Sequence, residues 1–272
     1  MFDDARAASR QARSLRRVRH RPFPLPQSRW TLGQTWEQTF WAHWAVSLEE
    51  LRERVPDELE IEEHDGTAWL GIQFFRVRAL RARGALPLPG ISSFLQLNIR
   101  TYVRGPDGLP GVWFFSIDAS SRLAALGVRR VYRVPAFHAR MTLEWAGSAG
   151  GQAAAARPVD RAAAGGAGDG WQEAECVRVG EPGRVFAARY RVPEESFHAE
   201  PGSLEWFLTE RYRLFASDSS AEMHHDRWLL SRAEAEIELT SIVPFTLGGP
   251  PRCCHFAFRQ DALIWPPEPI AS

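Results

Sequence analysis

The sequence predicts an α+β chain, mostly antiparallel β, folded as a partly open curved β-barrel with a few short peripheral helices. Three observations carry that reading. Short apolar and aromatic stretches of strand length recur along the whole chain, separated by Gly- and Pro-rich turns. Only two or three stretches carry helix start signals. Apolar residues make up 44% of the 272 residues, with eleven tryptophans, enough to bury a sizeable core without a disulfide or metal staple. Many short strands with few helices suit a barrel or sandwich better than a layered α/β fold.

Residues 1–25 hold seven arginines against Asp3 and Asp4, a balance of +5, and run into Pro22, Pro24 and Pro26. They read as a disordered Arg-rich tail, leaving residues 26–272 as a single barrel domain. Trp36–Val46 is apolar and aromatic and reads as the first strand. Ser47-Leu48-Glu49-Glu50 has the form of a capping box and opens a short helix that Pro56 stops. Leu59–Glu63 and Thr67–Ala79 flank Asp65-Gly66 as a hairpin. Phe94–Arg104 and Gly111–Asp118 form a second hairpin around a longer loop. Ser120 or Ser121 caps a helix through about Tyr132, and the strand Phe137–Trp145 follows. Residues 147–170 are mostly Gly and Ala with a few charges and read as a flexible insertion within the same domain. Strands follow at Gln172–Val179 and Arg184–Val192. A helical turn, Ser203–Leu208, leads into a strand Thr209–Ala216, and the strands Glu222–His225, Glu234–Thr240, Cys253–Phe258 and Ala262–Trp265 complete the set.

Composition closes several mechanisms. All 33 basic residues are arginine and the chain has no lysine. A guanidinium stays protonated at working pH, so chemistry through a side-chain imine is excluded. A formal net charge of zero argues against a globally basic nucleic-acid binder and leaves only residues 1–25 able to act that way. Three cysteines with a vicinal pair are not a disulfide framework. No GxGxxG or Walker loop points to a nucleotide, and no CxxC or HExxH spacing points to a metal, so neither cofactor nor metal is expected. The N-terminal region lacks an apolar signal-type segment and no apolar run has membrane length, so the expected compartment is the cytoplasm, with no membrane partner.

Along Phe94–Arg104, Leu95, Leu97, Ile99, Thr101 and Val103 share one face; Gln96, Asn98, Arg100 and Tyr102 share the other. In a solvated sheet the polar face is simply outside. In a cavity-bearing barrel the apolar face packs under helices and the polar face turns inward. Arg76, Asn98 and Arg100 could then grip a carboxylate, with Glu205 and Glu210 as acid or base. Glu210 shares its strand face with Leu208, Tyr212 and Leu214, so it is expected to lie close enough to Arg100 to pair, directly or through a ligand. A structural ion pair is the plainer alternative. His43, His224, His225, Cys253, Cys254 and His255 form a second set. Neighbouring strand residues point to opposite faces, so only one of His224/His225 and one of Cys253/Cys254 can reach a common centre. His43 or His225 suits a proton shuttle, against the commoner fate of a hydrogen-bonded core histidine.

Several stretches carry a resemblance: Phe40-Trp41-Ala42-His43-Trp44, Phe74-Phe75-Arg76-Val77-Arg78, Leu97-Asn98-Ile99-Arg100-Thr101-Tyr102-Val103, Gly111-Val112-Trp113-Phe114-Phe115-Ser116, Pro201 through Tyr212, and His224-His225 before Trp228. In this order they are similar to the YqjF-like family of the acetoacetate decarboxylase-like superfamily, over roughly Trp30 to Ser241. The resemblance implies a curved antiparallel sheet closing into a partly open barrel around an internal cavity. That cavity would add Trp113, Phe115, His43 and His225 to Arg76, Asn98 and Arg100 as lining residues. The name-giving enzyme uses a lysine nucleophile; this chain has none, which removes that chemistry whatever the fold. The expected function is a pocket for a small anionic or carbonyl-bearing molecule, with acid–base turnover of a lyase or hydrolase kind through Glu210 and Glu205. The alternatives are a non-catalytic binding or sensing protein using the same cavity, and a nucleic-acid-associated protein acting through the Arg-rich arm.

Overall fold

The computed structural model describes residues 2–88, 90–146, 170–192, 195–216 and 218–270. All but the last residue of the predicted insertion at 147–170 therefore lies outside the described residues. In chain order the elements are α1 (Phe2–Ser14), β1 (Leu32–Val46), α2 (Leu48–Arg52), β2 (Glu60–Ile61), β3 (Glu63–His64), β4 (Thr67–Ala82), β5 (Phe94–Arg104) and β6 (Pro110–Ala119). There follow α3 (Arg122–Val131), β7 (Ala136–Trp145), β8 (Gln172–Arg178), β9 (Val185–Arg191), α4 (Leu204–Thr209), β10 (Arg213–Phe215) and β11 (Ser219–His225). The last four are β12 (Ser231–Arg232), β13 (Glu234–Leu239), β14 (Cys253–Ile264) and β15 (Glu268–Pro269).

Seven strands close a ring in the order β1, β4, β5, β6, β10, β11, β14 and back to β1. The long neighbours pair antiparallel over most of their length. Closure runs through a two-residue parallel seam, Leu214 beside Val112 and Phe215 beside Trp113. The predicted mostly antiparallel barrel is present, with two parallel pairings, β6–β10 and β6–β7. Helix caps follow the local sequence: the hydroxyls of Ser47, Ser121 and Ser203 accept from the third backbone N–H beyond each, at Glu50, Ala124 and Trp206. Asp65 and Gly66 both sit at positive φ, as a tight hairpin turn requires.

Beyond β6 the chain leaves the ring. β7, β8, β9 and β13 form a second sheet that covers the outer face of the barrel. Between the layers lies a buried cluster of Phe40, Phe74, Leu97 and Ile99 from the barrel with Phe186 and Tyr190 from the second sheet. Tyr190 stacks on Phe40 with ring centroids 4.3 Å apart. The apolar face of β5 is thus covered by a sheet, where the sequence reading placed helices. With that face occupied outside, Gln96, Asn98 and Arg100 turn inward.

Bulges reset which residues face in, among them one at Ala79 of β4 (φ 48°), after which Leu80 rather than Ala79 faces the cavity. Gln38 takes φ 51° and breaks the β1–β4 register, so Trp36 faces inward before it and Trp41 and His43 after it. In β6 the register slips between Ile99 and Arg100 of its partner strand, making Phe115 the extra residue. Phe114 and Ile117 face the interior, while Trp113 and Phe115 point out into a cluster with Phe215 and Phe245.

Two predicted elements are corrected. Residues 1–25 are not a disordered tail: α1 lies against β14, β1 and β4, and Ala7, Gln11 and Ser14 are buried along one helical stripe. The Gln11 side chain donates to Thr35 Oγ1 and to the Ala79 carbonyl and accepts from Arg81 Nε, and Arg10 pairs with Asp261 at 3.2 Å. Arg21 donates to the Met223 carbonyl at 2.6 Å and to Glu222 at 2.7 Å. Polar residues that look solvated in sequence are satisfied here by strand edges. The second correction is Thr209–Ala216. Thr209 ends α4, Glu210 is its C-cap at φ −87°, ψ 71°, and only Arg213–Phe215 is strand. The alternation that aligned Glu210 with Leu208 and Leu214 does not apply.

Candidate functional site

The barrel encloses a cavity of about 560 Å³, in the range of small-molecule sites. Its body is aromatic and aliphatic: Trp36 and Trp41 from β1, Phe75 from β4, Phe94 from β5, Phe114 from β6, and Trp228. Trp228 stacks on Trp36 at 5.8 Å and meets Trp41 edge-on at 4.7 Å. Ile91, Leu123 and Val131 line the mouth yet are 46%, 65% and 52% exposed, so the entrance is apolar too.

One wall is polar. Gln96 donates to Asn98 Oδ1 at 2.8 Å, and the Gln73 Oε1 atom accepts from Asn98 at 3.3 Å and from Arg100 at 3.2 Å. Arg100 also donates to the Leu208 carbonyl at 3.0 Å, an acceptor it shares with the Tyr102 hydroxyl. Arg100 is 7% exposed and makes no ion pair with a described carboxylate: the acceptors Gln73 and Leu208 are both neutral, and its Nε has no partner among the described residues. Arg211 on the same wall differs, because Glu62 takes its guanidinium and Phe207 and Tyr102 flank it. Burial pulls Arg211 below the usual arginine range, with Glu62 opposing. The Trp41 indole N–H, fully buried at the cavity, likewise has no acceptor among the described residues.

The predicted site residues divide. Asn98, Arg100 and His225 line the cavity. His225 contacts the carbonyls of Asp226 and Arg211 at 2.8 and 3.2 Å, and burial lowers it to about 4. Trp113 and Phe115 do not line it, because of the β6 bulge. Arg76 faces outward on β4 between Arg78, Glu37 and Tyr190, and burial lowers it there. Glu210 does not pair with Arg100. Its carboxylate accepts from the Tyr212 hydroxyl and, at 2.9 Å, from the Trp228 backbone N–H. Burial raises it above the usual carboxylate range against those two bonds. Glu205 sits half-buried in the first turn of α4, 3.4 Å from Arg232, away from the cavity. Among the described lining residues there is no carboxylate.

His43 lies inside the barrel but beyond the cavity lining, with Cys253 and His255. Burial pushes His43 well below the ordinary histidine range, followed by the charges of His255 and Arg100. His224 faces α1 and contacts the Ser14 carbonyl at 2.9 Å. Sequence reasoning missed Gln73 and Arg211, and placed Gln96 on the inward polar face without naming it as a site residue. Gln73 was visible only as a polar residue inside an aromatic strand, and Arg211 lay in the segment misread as strand.

The seven-stranded barrel is the architecture of the acetoacetate decarboxylase fold. Solved structures of that fold align along the chain. An acetoacetate decarboxylase from Legionella pneumophila subsp. pneumophila str. Philadelphia 1 superposes with TM-score 0.61 at 11% identity, covering 92% of this chain and 93% of its own. The enduracididine biosynthesis enzyme MppR, complexed with pyruvate, gives 0.60 at 13% identity over 93% of each chain. An acetoacetate decarboxylase-like enzyme from Sphingomonas wittichii RW1 gives 0.59 at 14% identity, covering 93% and 98%. In sequence, residues 33–258 match the DUF2071 model, described as an uncharacterized conserved protein, and the chain belongs to that family. It is 36% identical over 257 residues to the protein YqjF of Bacillus subtilis (strain 168), covering 92% of this chain and 97% of that one. No described helix is long and apolar enough to cross a membrane.

Proposed function

We propose that the chain binds a small molecule with an apolar body and a carboxylate or comparable anionic head, without turning it over. The observation that carries this reading is Arg100: a buried guanidinium on the wall of an apolar cavity whose acceptors are the neutral Gln73 amide and the Leu208 carbonyl. A buried charge is ordinarily paired, and an anion from outside would pair this one with charge-assisted hydrogen bonds. Trp41 Nε1 supplies a second free donor at the same cavity, and the aromatic body and apolar mouth suit the rest of the ligand. A neighbour of this fold is described in complex with pyruvate, itself a small carboxylate. Acid–base turnover by Glu210 and Glu205 has no support in the geometry, since neither lines the cavity.

The test is a thermal-shift and calorimetric screen of aryl and alkyl carboxylates, each matched with its neutral amide. The acid of a matched pair should bind and the amide should not. Arg100→Met should weaken the acid on the order of 10–100-fold, the worth of a hydrogen bond to a charged group. Equal binding of acid and amide would defeat the proposal, as would release of product from a bound acid.

A further inference from the structure

We propose that His43, Cys253 and His255 form a metal site inside the barrel, suited to zinc(II) or another tetrahedral ion that accepts nitrogen and thiolate ligands. The backbone assembles them directly. His43 on β1 is the cross-strand partner of Cys253 on β14, and His255, two residues on, shares the inward face with Cys253. Cys254, between them, points outward into the layer beneath the second sheet. One ring nitrogen from each histidine and the Cys253 sulfur all lie within 4.8 Å of one another. With Zn–N near 2.0 Å and Zn–S near 2.3 Å, a tetrahedral ion would draw them to roughly 3.3–3.6 Å, about an ångström of side-chain adjustment.

The second observation is independent of that spacing. His43 is fully buried, and neither of its ring nitrogens has a hydrogen-bond partner among the described residues; Nδ1 of His255, 2% exposed, has none either. Buried imidazoles ordinarily find partners for their nitrogens, and a bound metal ion supplies that partner to one nitrogen of each histidine. Room for the His43 ring comes from Gly71 opposite, where a Cβ would sit 3.2 Å from Nε2 and 3.0 Å from the Tyr102 hydroxyl. On binding, Cys253 gives its proton to solvent as the sulfur bonds the ion. Glu205 is near enough for its charge to act on both Cys253 and His255. With the thiolate, it balances a dipositive ion next to Arg100. Three protein ligands leave a fourth position for water. None of the three lines the cavity, so this site stands or falls apart from the anion-binding reading.

The experiment is cobalt titration of the full chain after stripping with a chelator. The wild type should bind one equivalent of Co²⁺, with a thiolate-to-cobalt charge-transfer band and the strong visible bands of a tetrahedral ion, and Zn²⁺ should displace it. Cys254→Ser should keep the charge-transfer band, Cys253→Ser should lose it, and His255→Gln should weaken binding about tenfold or more. X-ray absorption on the zinc-loaded wild type, which needs no variant to fold, should report one sulfur and two imidazole nitrogens. The proposal is overturned if the folded wild type takes up no stoichiometric cobalt. It is also overturned if the charge-transfer band survives in Cys253→Ser, or if the absorption spectrum lacks sulfur.

Discussion

Arg178 on β8 holds Asp118 on β6 through two parallel hydrogen bonds, Nε to Oδ1 at 2.9 Å and Nη2 to Oδ2 at 3.0 Å, with both side chains buried. Arg178 also lies over the Phe137 ring, 3.6 Å from its centroid. The pair clamps the second sheet to the barrel where β7 leaves the ring, and so fixes the layer that forces the polar face of β5 inward.

Removing Arg178 leaves Asp118 a buried charge without a cation, and removing Asp118 leaves Arg178 only the half-exposed Glu181 at 3.7 Å; breaking such a pair from one side costs about 3–5 kcal/mol. Arg178→Met and Asp118→Leu should each lower urea-unfolding stability by an amount in that range. The double variant Arg178→Met/Asp118→Leu should cost clearly less than the two singles added, because no charge is stranded. Strict additivity would show that the two residues act separately.

Gln11 of α1 lies across Gly33 of β1, so that a Cβ on Gly33 would stand 2.5 Å from Gln11 Oε1. That oxygen is held by Arg81 at 2.7 Å and cannot move freely. Gly33→Ala should therefore destabilise the wild type by about 1–2 kcal/mol, the scale of a displaced buried hydrogen bond. In a Gln11→Ala background the same change should be close to neutral. If Gly33→Ala costs the same in both backgrounds, α1 does not dock on β1 as described.

Acid should loosen the fold, at the α1 docking through His224 and at the cavity wall through His225. Burial lowers His224 and His225 to about 4 from an ordinary value of 6.5, so the folded chain keeps both neutral while the unfolded chain protonates them as pH falls below about 6.5. The unfolded state then binds more protons, and stability, full above about pH 6.5, declines as pH drops toward 4. Each residue contributes about 3 kcal/mol at the full effect, and the two together rival the 5–15 kcal/mol total stability of an ordinary domain. The urea midpoint should be level from about pH 8 to 7 and fall steeply below about 6. His224→Gln should flatten the fall; an identical profile in that variant would remove His224 from the explanation.

How much of this was readable in advance depends on where the side-chain period holds. Along β5 it holds without interruption, and the segregation of Leu95, Leu97 and Ile99 from Asn98 and Arg100 gave the two faces correctly, although only the covering sheet decides which face is inside. In β1 and β6 a single bulged residue, Gln38 or Phe115, reverses the period. Trp113 and Phe115, which the resemblance placed at the cavity, face outward for that reason. Nothing in local composition marks a bulge of this kind. The docking of α1 was hidden differently: its buried stripe is Ala7, Gln11 and Ser14, too polar to register as amphipathic, and its satisfaction depends on strand edges far away in sequence. The segment at Glu210 failed because the alternation of Leu208, Tyr212 and Leu214 around it was taken for strand where the chain is leaving a helix.

Arg100 and Glu210, expected to pair, should instead behave independently, and the direction of the Arg100 effect is the sharper test. Removing Arg100 strands no acceptor. The Leu208 carbonyl keeps the Tyr102 hydroxyl at 3.0 Å, and Gln73 Oε1 keeps Asn98 at 3.3 Å. What disappears is a buried charge without a counter-ion, and replacing such a group by an apolar one of similar volume is often neutral or stabilising by 1–4 kcal/mol. Arg100→Met should therefore leave unliganded stability unchanged or raise it by about 1–2 kcal/mol, while weakening carboxylate binding on the order of 10–100-fold. That combination is the mark of a residue kept for its ligand at the expense of the fold. Glu210→Gln should do the reverse. It weakens the bonds that join α4 to Tyr212 and to the Trp228 backbone, and should cost about 1–3 kcal/mol with little direct effect on ligand affinity. A double-mutant cycle between the two should close to within about 0.5 kcal/mol, as it does for sites that share no partner. If Arg100→Met instead unfolds the protein by several kcal/mol and couples to Glu210, the guanidinium is a structural cation and the anion it serves is already part of the chain.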